Sequence, residues 1–293
     1  MQRFLKKVWR VITSPFRLLR WLIGLLVKGF RNAHAFLTTE PEEHPLGETL
    51  AETFQQPAGL LEHFDALRKN LTRMLVGLLI CVGILFAFTP QLVDFLAKPI
   101  GGISALKAID VTESIGVFMR VALLGGVTLA SPYLAFELWL FAAPGLKPRS
   151  RIFSLASIPL VIVFFAGGMA FAYFILLPPA MKFLLNFMGV QVIPRPSSYI
   201  SFVTGILFWI GVTFEFPLVI YVLSWIGIVK PKSLLKHWKI AVVVIAILAA
   251  AITPTTDPVN MTLVMAPMIL LYFASIGLGY LALIGRKKRL QEE

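Results

Sequence analysis

The chain has 293 residues, of which 58% are hydrophobic and only 14% are charged, and its mean hydropathy is +0.82. This composition excludes an ordinary soluble domain and indicates a polytopic membrane protein. The net charge of +12 could suggest a nucleic-acid partner, but in a membrane protein the positions of Lys and Arg are more informative than their total, so none is expected. The single cysteine, Cys81, excludes an internal disulfide and a cysteine metal site.

The first 36 residues combine a basic face with an apolar face. At about 100° per residue, their Lys and Arg side chains fall within an arc of roughly 140°, and most other positions are apolar. This pattern predicts a basic amphipathic helix over 1–36 that lies on an anionic lipid surface. A cleaved signal peptide is the alternative, because residues 33–35 read Ala-His-Ala, a form typical of cleavage sites. Against it, Lys28 and Arg31 lie between the apolar run and that sequence, where signal peptides avoid charged residues.

The rest of the chain divides by composition. Residues 37–60 contain five Glu and three Pro and are predicted to be an acidic flexible linker. Residues 61–286 form the hydrophobic core, and 287–293 are predicted to be a cytoplasmic tail. Thr89-Pro90 is expected to end the first span, and Pro178-Pro179 to end the third.

Six hydrophobic segments within 61–286 predict an all-α integral membrane protein with six transmembrane helices. The fifth would rise only about 20 Å as a helix, short of the roughly 30 Å bilayer core, whereas the sixth is long enough to cross. The predicted spans are about Leu71–Phe88, Ile115–Leu140, Phe153–Leu177, Phe202–Leu223, Ile240–Ile252 and Leu263–Ile284.

The distribution of basic residues predicts the orientation. Six spans place both termini on one side, and 22 of the 27 Lys and Arg residues fall on that side. By the positive-inside rule, both termini are therefore expected to be cytoplasmic, in a multi-pass protein of the cytoplasmic membrane. The five basic residues assigned to the other side are Lys98, Lys107, Arg120, Lys182 and Arg195.

One carboxylate, Glu215, lies at membrane depth in the fourth span. A charged side chain there costs roughly 2.5–3.5 kcal/mol on insertion scales, so such a residue is expected to be functional and to face protein or a wet cavity. The alternative is a protonated acid that makes a structural hydrogen bond between helices. Pro217, two residues further on, removes a backbone donor and favours a kink beside the acid.

Several catalytic chemistries have no signature in the chain. The sequence lacks a phosphate-binding loop of the form G-x-x-x-x-G-K-[ST], an H-E-x-x-H metal motif and a G-x-S-x-G nucleophile elbow. Its four histidines are dispersed along the chain. We therefore expect no enzyme activity, no metal and no cofactor, and a function based on binding, conformational change or a transmembrane gradient.

The order of several short motifs along 61–286 resembles the TatC family, the polytopic core and signal receptor of the twin-arginine protein translocase. None of the motifs is specific alone, but their order and their positions on six predicted spans make the resemblance strong. They include His63-Phe-Asp-Ala-Leu-Arg68, Phe95-Leu-Ala-Lys-Pro-Ile-Gly-Gly102, Thr112-Glu113, Phe136-Glu-Leu-Trp-Leu-Phe-Ala-Ala-Pro-Gly-Leu146, Phe214-Glu-Phe-Pro217, and Thr253-Pro254 with Asp257-Pro258.

The resemblance implies a concave, cup-like helical bundle with short fifth and sixth spans. It also implies a function: binding twin-arginine signal peptides and recruiting single-span partners of the TatA and TatB kind, so that folded proteins are exported by the proton-motive force. A homo-oligomer within a larger complex is implied as well.

The family's signal-binding surface maps onto His63, Arg68, Glu137, Phe141 and Pro144. Two acids of the family pattern are replaced here, by Ala66 and Ser150, so Asp65 joins Glu137 as a predicted acceptor for paired guanidinium groups. Structural alternatives remain, because Asp65 could stabilise a helix N-terminus and Glu137 could pair with Arg149 or Arg151.

The resemblance assigns Glu215, with Thr253 and Asp257, to an intramembrane polar site for a partner helix. A family acid in the sixth span is replaced by Phe273.

Two other functions stay open. In a proton-coupled small-solute transporter Glu215 would face an enclosed midplane site, but the six spans show no repeat of the transporter kind. A divergent adaptor without signal recognition is the other, motivated by Ala66, Ser150 and Phe273.

Overall fold

The computed structural model describes residues 57–146, 148–186, 193–253 and 257–292, and the regular elements within these ranges are helices. The expected amphipathic helix over 1–36 and most of the expected linker lie outside the described residues. Helix α1 begins at Pro57, so the last four residues of the interval expected to be linker are helical. The all-helical fold predicted from composition is confirmed.

Ten α-helices are described. They are α1 (Pro57–Phe86), α2 (Thr89–Ala97), α3 (Glu113–Ala142), α4 (Pro148–Ala156), α5 (Ile158–Phe171), α6 (Leu177–Leu185), α7 (Pro196–Ile226), α8 (Pro231–Lys236), α9 (Trp238–Ile252) and α10 (Pro258–Glu292). Short 3-10 turns lie at Lys98–Ile100, Ile103–Ala105 and Ala143–Gly145. The sequence predicted a loop after Thr89-Pro90, but helix α2 occupies this segment. The helix tolerates Pro90 because the residue sits in the first turn, where a missing N–H costs nothing.

Five helical stretches of the described chain are long and apolar enough to cross a membrane, and α9, with 15 residues, is a sixth, shorter apolar helix. The five are Leu67–Phe86, Glu113–Ala142, Ser150–Leu185, Pro196–Ile226 and Pro258–Arg286. The short length predicted for the fifth apolar segment is confirmed. The short sixth span implied by the resemblance is wrong, because its apolar stretch has 29 residues and continues through Pro267.

The third span continues past Pro178-Pro179, contrary to the prediction. A π-helical turn over Ala172–Leu176 shifts the hydrogen-bond register, and α6 then begins at Leu177 with proline in its first turn. Proline is tolerated in that position because the first N–H groups of a helix have no intrahelical partner. The prolines therefore do not end the helical stretch, which continues to Leu185.

Helix α7 lies at the centre of the molecule and packs against α3, α5 and α10, while α1 packs on α3. Its side chains are buried around much of its circumference, and the largest fully buried residues include Ile200, Val203, Ile206 and Ile210. A helix that is apolar on all sides is expected in such a position.

Two contacts mark the two ends of the bundle, which we call the opposite face and the terminal face. Helices α3 and α7 begin together at the opposite face, where Glu113 contacts Ser197. Helices α7 and α10 end together, because Gly227, in the left-handed conformation at φ +96°, packs against the guanidinium group of Arg286. We call that end the terminal face, since α10 reaches it shortly before the end of the chain.

Candidate functional site

At the terminal face, α1 and α3 approach closely where the ring of Tyr133 lies on Gly77. A Cβ atom on Gly77 would lie 2.7 Å from Cδ1 of the ring, so only glycine fits at this position. The contact directs the Tyr133 hydroxyl toward the carbonyl oxygen of Arg73, to which it is 3.2 Å distant. The first and second spans are thus held together about two and a half turns before the terminal end of α3.

A buried carboxylate, Glu137, lies beside this contact and is only 5% exposed. Its Oε1 accepts a hydrogen bond from the Tyr133 hydroxyl at 3.0 Å, and its Oε2 lies 3.3 Å from Nε of Arg73. The Arg73 side chain is half-exposed and also donates to the amide oxygen of buried Asn70. Glu137 Oε2 accepts no hydrogen bond from the described residues. We call Asn70, Arg73, Tyr133 and Glu137 the carboxylate cluster.

The other predicted signal-binding residues lie on α1 or at and just after the terminal end of α3. Asp65 and Arg68 are exposed on α1, and Asp65 precedes Arg73 by eight residues, about 12 Å along the helix axis. Phe141 is half-buried and Pro144 is exposed at the terminal end of α3. The side chain of His63 lies outside the described residues.

Sequence reasoning missed Asn70, Arg73 and Tyr133. The signal was local: Tyr133 and Glu137 are four residues apart, and Asn70 and Arg73 are three apart, so each pair shares a helix face. The contact across the two helices had no such signal.

The sequence left open a pairing of Glu137 with Arg149 or Arg151, and the structure places a different cation, Arg73, beside Glu137. The Arg149 side chain lies outside the described residues. Arg151 is buried, and its guanidinium donates to the carbonyl oxygens of Ala143 and Leu146 at 2.8 Å and of Pro144 at 3.2 Å. A helix leaves its last carbonyls without intrahelical partners, and a cation there also complements the helix dipole. Arg151 therefore holds the loop that carries Pro144.

A second buried carboxylate, Glu113, joins α3 to α7 at the opposite face. It is 6% exposed and accepts hydrogen bonds from the backbone N–H of Ile109 at 3.1 Å, from that of Ser197 at 3.0 Å and from the Ser197 hydroxyl. Nε of Arg195 lies 3.5 Å from its Oε1. Just before α3, the N–H and hydroxyl of Thr112 donate to Asp110 and lower the pKa of that exposed carboxyl.

Replacing Glu113 with Ala is expected to lower the apparent unfolding temperature in detergent by several degrees. The change leaves the N–H of Ser197 and the guanidinium of Arg195 without their acceptor, and unpaired donors near a buried site are costly. Ser197→Ala, which removes only the hydroxyl, should have a smaller effect, and Ser114→Ala, at an exposed position beside Glu113, should have none. Equal melting of Glu113→Ala and the unmodified chain would contradict this role.

Glu215 lies at the edge between the packed core and the exposed surface of α7. The residues one turn to either side on one flank, Gly211 and Leu218, are buried, whereas Val212 and Val219 on the other flank are exposed. The side chain is half-buried, and its Oε1 has no hydrogen-bond partner among the described residues. Oε1 is itself a buried atom, so only the remainder of the Glu215 side chain is open to the surface.

The structure does not bring Glu215 together with Thr253 and Asp257. The ring of Phe216, next to Glu215, stacks near Tyr272, which lies 14 residues after Pro258 and so about 21 Å along α10. Thr253 is buried and donates to the Ala249 carbonyl at 2.9 Å.

Asp257 occupies the start of α10. Its Oδ1 accepts from the backbone N–H of Asn260 at 2.7 Å and its Oδ2 from the Asn260 amide at 3.0 Å. Both contacts satisfy donors at the beginning of a helix. Thr253 and Asp257 therefore belong to the α9–α10 connection, away from the predicted partner site. Among the described residues, no three His, Cys, Asp or Glu side chains are grouped so that they could hold a metal ion.

Comparisons with known proteins agree on one family. Residues 62–267 match the family model described as Sec-independent protein translocase protein (TatC). The chain is 37% identical over 224 residues to the TatC protein of Carboxydothermus hydrogenoformans, covering 75% of this chain and 92% of that protein. It is 34% identical over 245 residues to the TatC protein of Aquifex aeolicus, covering 80% and 99%.

A solved structure also matches the fold. The crystal structure described as the twin-arginine translocase receptor TatC superposes with a TM-score of 0.67 at 34% sequence identity, covering 75% of this chain and 99% of that chain. The matched part corresponds in extent to the hydrophobic core of the chain.

Proposed function

The chain belongs to the TatC family of Sec-independent protein translocase components, and on that premise we propose that it is the receptor that binds twin-arginine signal peptides and the scaffold that recruits TatA- and TatB-type partners. The proton-motive force drives export of the folded cargo. The protein is a membrane component of the translocase and not a classical enzyme. Both termini lie in the cytoplasm, as the excess of Lys and Arg on the terminal face favours.

The single observation that supports signal recognition is the carboxylate cluster at the terminal face. Glu137 is buried and already contacts one guanidinium group, that of Arg73, so its surroundings suit a guanidinium ligand. Charge-assisted hydrogen bonds are strongest in a partly desolvated site, and a guanidinium group matches a carboxylate better than an ammonium group does.

We place one signal arginine at Glu137, where it takes over the contact that Arg73 makes in the free protein. Arg73 is free to leave because half of its side chain is exposed. The vacant lone pair on Glu137 Oε2 then accepts a hydrogen bond that Arg73 does not supply. Consecutive side chains of an extended peptide point in opposite directions, so the second arginine can reach toward Asp65 along α1.

Site-specific crosslinking tests this proposal. Photoreactive side chains at positions 67, 141 and 144 lie on the terminal face and leave both Asp65 and Glu137 in place, and position 111 on the opposite face serves as the control, since Val111 is 93% exposed. A signal peptide with Arg-Arg should crosslink at the terminal positions several-fold more than the same peptide with Lys-Lys. Equal or absent crosslinking by the inserted protein would favour the adaptor that has lost signal recognition.

The partner helix docks on the surface of α7 that contains Val212, Glu215 and Val219. Its support is the half-buried Glu215 side chain at the border of an exposed apolar strip, a position that a second helix could reach. A carboxyl group at such an edge does not suit the enclosed midplane site of a small-solute transporter. Where the family has an acid in the sixth span, Phe273 presents an exposed ring instead, so the partner contact relies on Glu215.

A further inference from the structure

A groove of about 410 Å³ lies at the opposite face, between the 3-10 turn that follows α2 and the first turns of α6. It is remote from the carboxylate cluster, which lies at the terminal face, and it lies on different helices from Glu215. Its floor is apolar and aromatic, and two lysines stand at its rim. The residues that matter here are Lys98, Tyr173, Phe174, Pro178, Met181 and Lys182.

The side of the groove formed by Lys98 is fixed by contacts to the third span. The Tyr173 hydroxyl donates to the Phe95 carbonyl at 2.7 Å, and the two rings stack with centroids 4.5 Å apart. The ammonium group of Lys98 lies 5.5 Å from the centre of the Phe95 ring. Because Tyr173 is buried and belongs to the π-helical turn, the groove is part of the folded core and not a gap between mobile loops.

The two lysines form a positive site with little opposing charge. Neither Lys98 nor Lys182 has an ion-pair partner in the described part of the chain. The sequence contains no Asp or Glu between Glu137 and Glu215, a stretch that includes the whole third span and the connection after it. Asp94 is exposed on α2 but does not line the groove. An anion is therefore the expected ligand.

The order of residues along the third span places apolar surface below the charges. Lys182 follows Phe174 by eight residues, about 12 Å along the helix, with Pro178 one turn between them. Phe174 is 67% exposed and its neighbour Ile175 is also exposed, in a stretch that is apolar enough to cross a membrane. The hydrocarbon core gives way to a polar headgroup layer roughly 5–8 Å thick in each leaflet, so Lys182 reaches headgroup level when Phe174 contacts acyl chains.

We propose that this groove binds one anionic phospholipid of the leaflet at the opposite face. The phosphate group lies between the ammonium groups of Lys98 and Lys182, and an acyl chain runs over Met181 and Phe174. The lipid bridges the turn after α2 and α6, two segments that also pack directly against each other. This site is independent of signal recognition and of partner docking at Glu215.

Native mass spectrometry of the full chain released from detergent tests the site. With phosphatidylglycerol and phosphatidylcholine supplied in equal amounts, the unmodified chain should retain the anionic lipid several-fold more. The Lys98→Gln/Lys182→Gln double variant should lose about tenfold or more of that retention, since each cation near a membrane surface contributes appreciably to anionic-lipid binding. Lys107→Gln, which removes an exposed lysine of the same loop outside the groove, is the matched control and should retain the lipid fully.

A second variant separates a built groove from general surface charge. Met181→Trp fills the floor without changing any charge, and it should also reduce retention of phosphatidylglycerol. The Lys98→Arg/Lys182→Arg variant keeps both charges and should retain the lipid. This result would show that the loss in the double Gln variant comes from the missing charges and not from misfolding. Equal retention of both lipids, retention by the double Gln variant, or retention by Met181→Trp would each overturn the proposal. A polypeptide adduct in place of the lipid, lost in the double Gln variant, would overturn it as well.

Discussion

A Glu215→Ala variant is expected to insert and fold normally but to lose export of a folded reporter with an Arg-Arg signal by roughly tenfold or more, which corresponds to about 1.4 kcal/mol of lost interaction. Insertion should not suffer, because removing a carboxylate at membrane depth removes a cost of roughly 2.5–3.5 kcal/mol. Export should suffer because the polar contact offered to a docking helix is gone. The measurements are reporter export and the amount of membrane-inserted protein.

Two further variants sharpen the test of Glu215. Glu215→Gln keeps the shape and the hydrogen-bonding capacity, so partial export would show that a hydrogen bond suffices and that the charge is dispensable. Leu79→Ala, at an exposed apolar position of α1 outside that strip, changes apolar surface only and should export normally. Normal export by Glu215→Ala would remove Glu215 from the partner site. Failure of that variant to insert would instead support the structural alternative.

The second large effect is expected at the carboxylate cluster. Glu137→Gln should abolish the preference for Arg-Arg over Lys-Lys and reduce export roughly tenfold or more, because the acceptor of the signal guanidinium is lost. Arg73→Gln removes the resident guanidinium and should cost about 1–3 kcal/mol of stability, since a buried charge is left without its partner. The same variant should still bind an Arg-Arg signal, because the signal itself supplies the missing guanidinium.

A charge exchange separates recognition from stability at this cluster. The Arg73→Glu/Glu137→Arg double variant keeps an ion pair between α1 and α3, so its unfolding temperature should recover toward that of the unmodified chain. It presents a guanidinium group where the signal needs a carboxylate, so Arg-Arg crosslinking should stay low. Export by the exchanged variant at the normal level would mean that the pair serves only to join the two helices.

The predicted site residues show where sequence reasoning stops. The depth of Glu215 could be predicted because an apolar run of known rise per residue surrounds it. The direction in which its side chain faces could not, since α7 is apolar on nearly every side and has no polar face to orient it. The packing of Gly168 against Phe214 and Gly211 decides which flank is buried.

Glu137 shows the same limit for charges. Its basic neighbours in sequence were the natural candidates for an ion pair, and yet Arg151 binds the carbonyls at the end of α3. The actual partner, Arg73, lies 64 residues away and reaches Glu137 because Tyr133 packs on Gly77. Glu113 and Ser197 form a similar contact across a distance of 84 residues.

Hydropathy and motif order were sufficient for the all-helical fold class and the family, because these follow from local composition and from the length that a helix needs to cross a bilayer. The partners of Glu137 and Glu113, the continuation of the third span past its prolines, and the lysine-rimmed groove required the folded molecule. Each of these depends on how closely two helices approach. That distance is set by side chains on both helices, so it cannot be read from the sequence of either helix alone.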